Sequence, residues 1–236
     1  MKHISMKSMM VLALGGMIVV SQTPAFAGFG DLVGGKKKGA DSGGATVDKD
    51  AFGKSANELA GNVLGARLAF SQANDKLKEA LGIKIDAAAK ESEAKRAAEG
   101  SASDKLNYAE KLRVQSAEDK KQIESSMAQS KELSAVGKAK FAEGTVKFIE
   151  GVTLESAQIA AIQKLVEQGQ SLVQSASPME KAGVLSIVKP VTTMASIVPG
   201  DVKEGLSTVA TILKFCQSQN ISIPKDATDK LGGLTP

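Results

Sequence analysis

The side chains best suited to catalysis or metal binding are nearly missing from this sequence. Its 236 residues include one His, one Cys, one Tyr and no Trp. They are His3, Cys216 and Tyr108. His is the usual general base near neutral pH and the commonest transition-metal ligand. A single Cys forms neither an internal disulfide nor a Cys/His zinc site. Carboxylates and Ser/Lys pairs remain, and no spacing in the chain sets either up for catalysis. No phosphate loop, dinucleotide fingerprint, EF-hand loop or paired-Cys metal site is present. The expectation is a non-enzymatic protein with no catalytic residue, cofactor or metal.

His3 itself falls in a leader. Lys2 and Lys7 give a positive start, Met9 to Val20 is an apolar run, and Ala25-Phe26-Ala27 is a small-residue cleavage pattern. Residues 1–27 read as a secretory signal peptide cut after Ala27. The run is shorter than the ~20 residues a membrane span needs. Losing Lys2 and Lys7 lowers the formal charge of +4 to about +2. With so little net charge, and no basic stripe interleaved with aromatics, nucleic acid is not an expected partner. The leader and the pattern behind it resemble those of secreted helical proteins of Gram-negative bacteria, which implies a periplasmic or secreted location.

The elements behind the leader are helical. Residues 28–45 hold most of the early glycines and Lys36-Lys37-Lys38, a composition expected to make a flexible tail. Residues 46–236 then form one helical-bundle domain. Its clearest signal is Gly137, Phe141, Gly144, Phe148 and Gly151. The steps of 4, 3, 4 and 3 make a seam along which helices pack lengthwise. Glycines let two backbones approach, and each Phe fills the space beside them. Phe52 to Ala80 carries the same rhythm, mostly with Ala as the small residue, and Phe141 and Phe148 are expected to pack against it. Gly61, Gly65 and Ala69 form a second small-residue ridge, read as another close helix contact. Gly82 should end this first helix.

A short peripheral helix is expected within Asp86 to Glu99, and Ser101 or Ser103 should cap the next. Residues 104–176 keep a helical pattern throughout. As one straight rod they would span ~110 Å, so a break is expected, with Gly151-Val152-Thr153 the candidate. Ser177-Pro178-Met179-Glu180 reads as a helix start with a capping box. Gly200-Asp201 reads as the start of a last helix, and Cys216 as a core residue. The fold class is all-α: an elongated bundle of four to six helices with heptad-like small-residue seams.

The run Ala182 to Pro199 is the most hydrophobic stretch after the leader. Val184, Ile187, Val188, Val191 and Met194 cover much of its circumference, and Pro190 is expected to kink it. A helix apolar all round is either buried centrally or lies in lipid. Two functional expectations follow. The first is a structural or protein-interaction module of the cell envelope, with an envelope protein or a second copy as partner. The second is a protein that binds lipid, a hydrophobic ligand or a membrane surface through residues 182–199.

Overall fold

The structure, a computed structural model, describes residues 47–85 and 88–234. The leader and the Gly/Lys-rich tail lie outside the described residues. The elements are α1 (Lys49–Ala80), α2 (Ala88–Glu99), α3 (Ala102–Gln129), α4 (Ala135–Ser156), α5 (Ile159–Ser175), α6 (Lys181–Ser218) and α7 (Lys225–Gly232). No strand occurs among the described residues. The fold is an all-α bundle of six helices, with short α7 closing it.

The bundle is built on α1. Asp48 caps its start through the N–H groups of Asp50 and Ala51. Gly82, at φ +73°, ends it in a left-handed turn. There the N–H groups of Gly82 and Ile83 return to the carbonyls of Glu79 and Lys78, a Schellman closure. At 32 residues, α1 is about 48 Å long.

The glycine seam of α4 lies against α1 as expected. A Cβ added to Gly144 would stand 2.9 Å from Leu77 Cγ and 3.1 Å from the Ala73 carbonyl oxygen. One added to Gly151 would stand 2.9 Å from Phe70, and one on Gly137 would stand 3.2 Å from the Ala80 carbonyl oxygen. The order of these contacts makes α4 antiparallel to α1. Phe148 meets Phe70 edge-on at 4.9 Å between ring centres. Phe141 lies 4.9 Å from Phe215 of α6, in the same core cluster as Ala73 and Leu77. Continuing past α4 in the same direction, α5 brings Gly169 against Phe52 and Val188.

Both α3 and α6 run parallel to α1. Asn57 meets Lys105 and Lys78 meets Asp119 along α3. Lys49 nears Gly183 and Arg67 meets Asp201 along α6. Because α6 packs on α1, α4 and α5 while α3 packs chiefly on α1 and α2, a groove is left between α3 and α6.

Four expectations are corrected. The long helical stretch breaks at residues 130–134 and 157–158, not at Gly151-Val152-Thr153, because Gly151 and Val152 are held in the α1 seam. Gly200-Asp201 starts no helix, since α6 runs unbroken through Pro190 and Pro199. An interior Pro costs roughly 3 kcal/mol. Val184, Val188, Val191, Met194, Val198, Val202, Val209 and Ile212 form one buried stripe across both prolines. Each such burial contributes roughly 1.5–3 kcal/mol, so the stripe outweighs the prolines. Ser177 and Glu180 do bond, Oγ to Oε2 at 2.6 Å, but they shape a turn and α6 starts at Lys181. Finally, Gly61 and Gly65 pack against nothing: a Cβ on either would meet no atom within 4 Å.

Candidate functional site

Two apolar clusters fill the bundle. One joins Phe52, Leu59 and Val63 to Leu165, Val191 and Met194, and the other joins Phe70 and Leu77 to Phe148, Ile149 and Ile212. Between them, level with the α4–α5 break, lies a polar layer. Arg67 of α1 is its centre. Its Nη2 stands 2.8 Å from Glu155 Oε1 of α4 and hydrogen-bonds Asp201 Oδ2 of α6. Its guanidinium also lies 5.9 Å over the Phe70 ring. Beside it Asn62 Nδ2 donates to Gln158 Oε1 at 3.2 Å.

The layer is short of donors. Glu155 is fully buried, and although Arg67 is close, neither Glu155 oxygen receives a well-directed hydrogen bond. One guanidinium nitrogen serves two carboxylates. Burial, with the Asp201 charge adding, outweighs Arg67 and pushes the Glu155 carboxyl up to about 7. Burial likewise raises Asp201 above the ordinary carboxylate range, against the pull of Arg67 and Arg113. Near neutral pH Glu155 is therefore poised between its neutral and charged forms beside Arg67.

The groove between α3 and α6 opens directly from this layer. It narrows to a cavity of about 70 Å³. Phe70, Leu77, Ile123, Met127, Phe148 and Ile212 make its apolar wall, and Arg67 and Asp201 form one end. Lys120 of α3 reaches Glu204 of α6 at 3.0 Å across the mouth. Arg113 also lines the cavity and is held by Glu110 through two bonds of 2.7 Å. Asn74 stands in the wall at 2 % exposure, and its Nδ2 has no hydrogen-bond partner. Leaving a buried amide donor unpaired costs roughly 1–3 kcal/mol. One turn further along α1, Lys78 and Asp119 form a buried pair at 2.7 Å.

The residues singled out in the sequence fall elsewhere. Val184, Val188, Val191 and Met194 point into the bundle core, and Ile187 is half-buried. The outward face of that stretch is mostly polar, with Ser186, Lys189, Thr192, Thr193 and Ser196, and also exposes Leu185. Gly137, Phe141, Gly144, Phe148 and Gly151 are seam residues, of which Phe148 alone also lines the groove. Arg67, Asn74, Glu155 and Asp201, which make the polar layer and its cavity, were not candidates in the sequence. One of them carries a signal: Glu155 stands seven residues after Phe148 and fourteen after Phe141, in phase with both. Among the described residues, no three His, Cys, Asp or Glu side chains gather as a metal site would require.

The arrangement defines an all-α bundle with a buried ionic layer and a side cavity. No family model, curated protein or solved structure matches the chain.

Proposed function

We propose that this protein is an exported, non-enzymatic binding protein of the cell envelope, and that the α3–α6 groove holds a small, largely apolar ligand. One observation carries the reading. A cavity with mostly apolar walls is lined in part by Asn74, a buried amide whose Nδ2 has no hydrogen-bond partner. Pockets that bind small molecules combine apolar walls with a few placed polar groups in this way. The leader supports export, and the scarcity of His and Cys supports binding over catalysis. The carboxylates at the groove are engaged in structural ion pairs or face the mouth, where no general base is paired with a nucleophile.

Native mass spectrometry of the protein purified from its own envelope tests this. Ala117 lines the groove from an exposed position on α3, so Ala117→Trp should plug the mouth without disturbing the core. Wild type should carry an adduct that the plugged variant lacks. If both are bare, and no amphipathic metabolite raises the Tm of wild type above that of the plugged variant, the reading fails.

A second reading, a module that docks an envelope protein or a second copy, is favoured by exposed Val136 and Met179. They sit on different elements, so it ranks below the groove. Light scattering that finds only monomer, together with no crosslinked partner, would count against it.

A further inference from the structure

Resting on the α3–α6 groove as the ligand site, we propose that α6 is its gate: residues 201–218 swing on Pro199-Gly200, and the Arg67–Asp201 ion pair is a latch that stays shut while Glu155 holds a proton. A hinge, its position and a shared cation together make the device.

The hinge is local chemistry. Pro199 has no N–H, so the Ala195 carbonyl lacks its helical bond, and Gly200 beside it has the freest backbone of any residue. Both residues are exposed, and a Cβ on Gly200 would meet nothing within 4 Å. Little packing braces the helix at this point. The hinge also falls near the boundary between the two apolar clusters. Val184, Val191, Val198 and Val202 belong to one, and Val209, Ile212 and Cys216 to the other. The whole α6 wall of the groove, from Asp201 to Ile212, lies beyond the hinge. A small swing there changes the width of the groove against α3 while Val184 to Val198 stay seated.

The latch is the shared cation. Asp201 follows the hinge directly and bonds Arg67 Nη2, the same nitrogen that stands 2.8 Å from Glu155 Oε1. Glu155 is fully buried, whereas the Asp201 side chain is 11 % exposed and lines the groove. When both carboxylates are charged they compete for one guanidinium nitrogen, and the one that water can reach, Asp201, is released. The charges facing Glu155 are Arg67 of α1 and Asp201 of α6. Around Asp201, Arg113 of α3 attracts it and Glu204 of α6 repels it. At the turn into α5 the polar neighbour is neutral Gln158, bonded to Asn62 of α1. Lys120 ties Glu204 across the mouth, but both are solvent-accessible, and such pairs hold weakly. In the shut state burial holds Glu155 at about 7, against an ordinary 4.5. Opening admits water and takes the Asp201 charge away, and both changes lower it. Opening therefore grows as pH rises between these values and levels off above them.

Hydrogen exchange read by mass spectrometry on the full chain detects the swing without a ligand. Wild type and Glu155→Gln are compared at the same pH, which cancels the intrinsic pH dependence of exchange. A tenfold loss of proton affinity at Glu155 on opening gives a tenfold rise in opening. At pH 8, residues 201–212 should thus exchange at least about tenfold faster in wild type than in the variant, and at pH 5 the ratio should fall toward one. Residues 184–198 and α1 should change less. Pro199→Ala combined with Gly200→Ala restores a continuous helix at two exposed positions. It should erase the excess in residues 201–212 while keeping the pH slope of global unfolding. An equal ratio across 184–198, 201–212 and α1 is what global destabilisation alone gives, and it overturns the gate. A ratio of one at pH 8 overturns the proton latch, and an excess that survives the double substitution overturns the hinge. The adduct comparison with Ala117→Trp separately decides the groove.

Discussion

Acid should stabilise this protein over the range where most proteins are insensitive or begin to weaken. Glu155 is the reason. Its carboxyl is raised from an ordinary 4.5 to about 7 by burial, with Arg67 opposing and Asp201 adding to the rise. Between those two values the folded chain holds a proton that the unfolded chain has released. Stability therefore falls as pH rises through this window and levels off above it. At ~1.4 kcal/mol per tenfold change in proton affinity, the full effect is about 3 kcal/mol. Asp201 shifts in the same direction and adds to it. The exposed carboxylates that are lowered, Asp104, Glu132 and Glu180, act below their ordinary pKa and leave this window alone. The only His in the sequence is His3, so no imidazole in the bundle titrates across it. Urea unfolding at steps from pH 5 to pH 8 measures the slope directly. Glu155→Gln should flatten most of that slope. It should raise stability at pH 8 by about 3 kcal/mol, or roughly 6–12 °C in Tm for a domain of this size, and change little at pH 5. Wild-type stability that is flat or rising from pH 5 to pH 8 would refute the reasoning. So would a Gln variant with the wild-type slope.

Glycine substitutions should split by position. Gly144→Ala meets Leu77 and the Ala73 carbonyl and should cost about 1–3 kcal/mol. Gly61→Ala meets nothing within 4 Å and should gain about 0.5–1 kcal/mol from helix propensity; thermal melts of the two should move in opposite directions. Lys78→Met leaves Asp119 buried without its partner and should cost about 3–5 kcal/mol, whereas Lys78→Met with Asp119→Leu should recover most of the loss in chemical denaturation. Asn220 holds φ +53° just past α6, so Asn220→Ala should lose about 1 kcal/mol while Asn220→Gly keeps wild-type stability.

The apolar seams were legible because burial of apolar surface is what fixes helix packing, and it leaves a 4/3 rhythm in the chain. Phe52 to Ala80 and Gly137 to Gly151 were read that way, and they form the largest interface in the bundle. Helix ends were legible where capping chemistry decides them, at Ser101 with Asp104 and at Gly82. They were misread where packing overrides local punctuation. Pro199-Gly200 looks like a boundary, yet the stripe from Val184 to Ile212 crosses it in phase. The turn at residues 130–134 has neither Gly nor Pro to announce it. It is forced from outside, because a rod of ~110 Å cannot stay packed on an α1 of ~48 Å. Length showed that a break was needed, and only the partner shows where.

The groove was hidden for a related reason. Arg67, Ser71, Asn74 and Lys78 follow one another at steps of 4, 3 and 4, the rhythm of the apolar seam on a neighbouring ridge of the same helix. A polar ridge with that spacing normally faces water, and nothing within α1 distinguishes the buried case. The distinguishing residues lie on other helices. Asp119 stands seven residues after Leu112 and four before Ile123, in phase with the inner stripe of α3. Glu155 stands seven after Phe148, in phase with the inner stripe of α4. A carboxylate at a core position needs a cation opposite or a proton of its own. Each of these carboxylates finds its cation on the polar ridge of α1: Lys78 for Asp119 and Arg67 for Glu155. Ser71 and Asn74, between those two cations, face no such carboxylate, and Asn74 lines the cavity. A ridge whose charges are matched one by one by misplaced carboxylates on other helices is therefore a buried ridge.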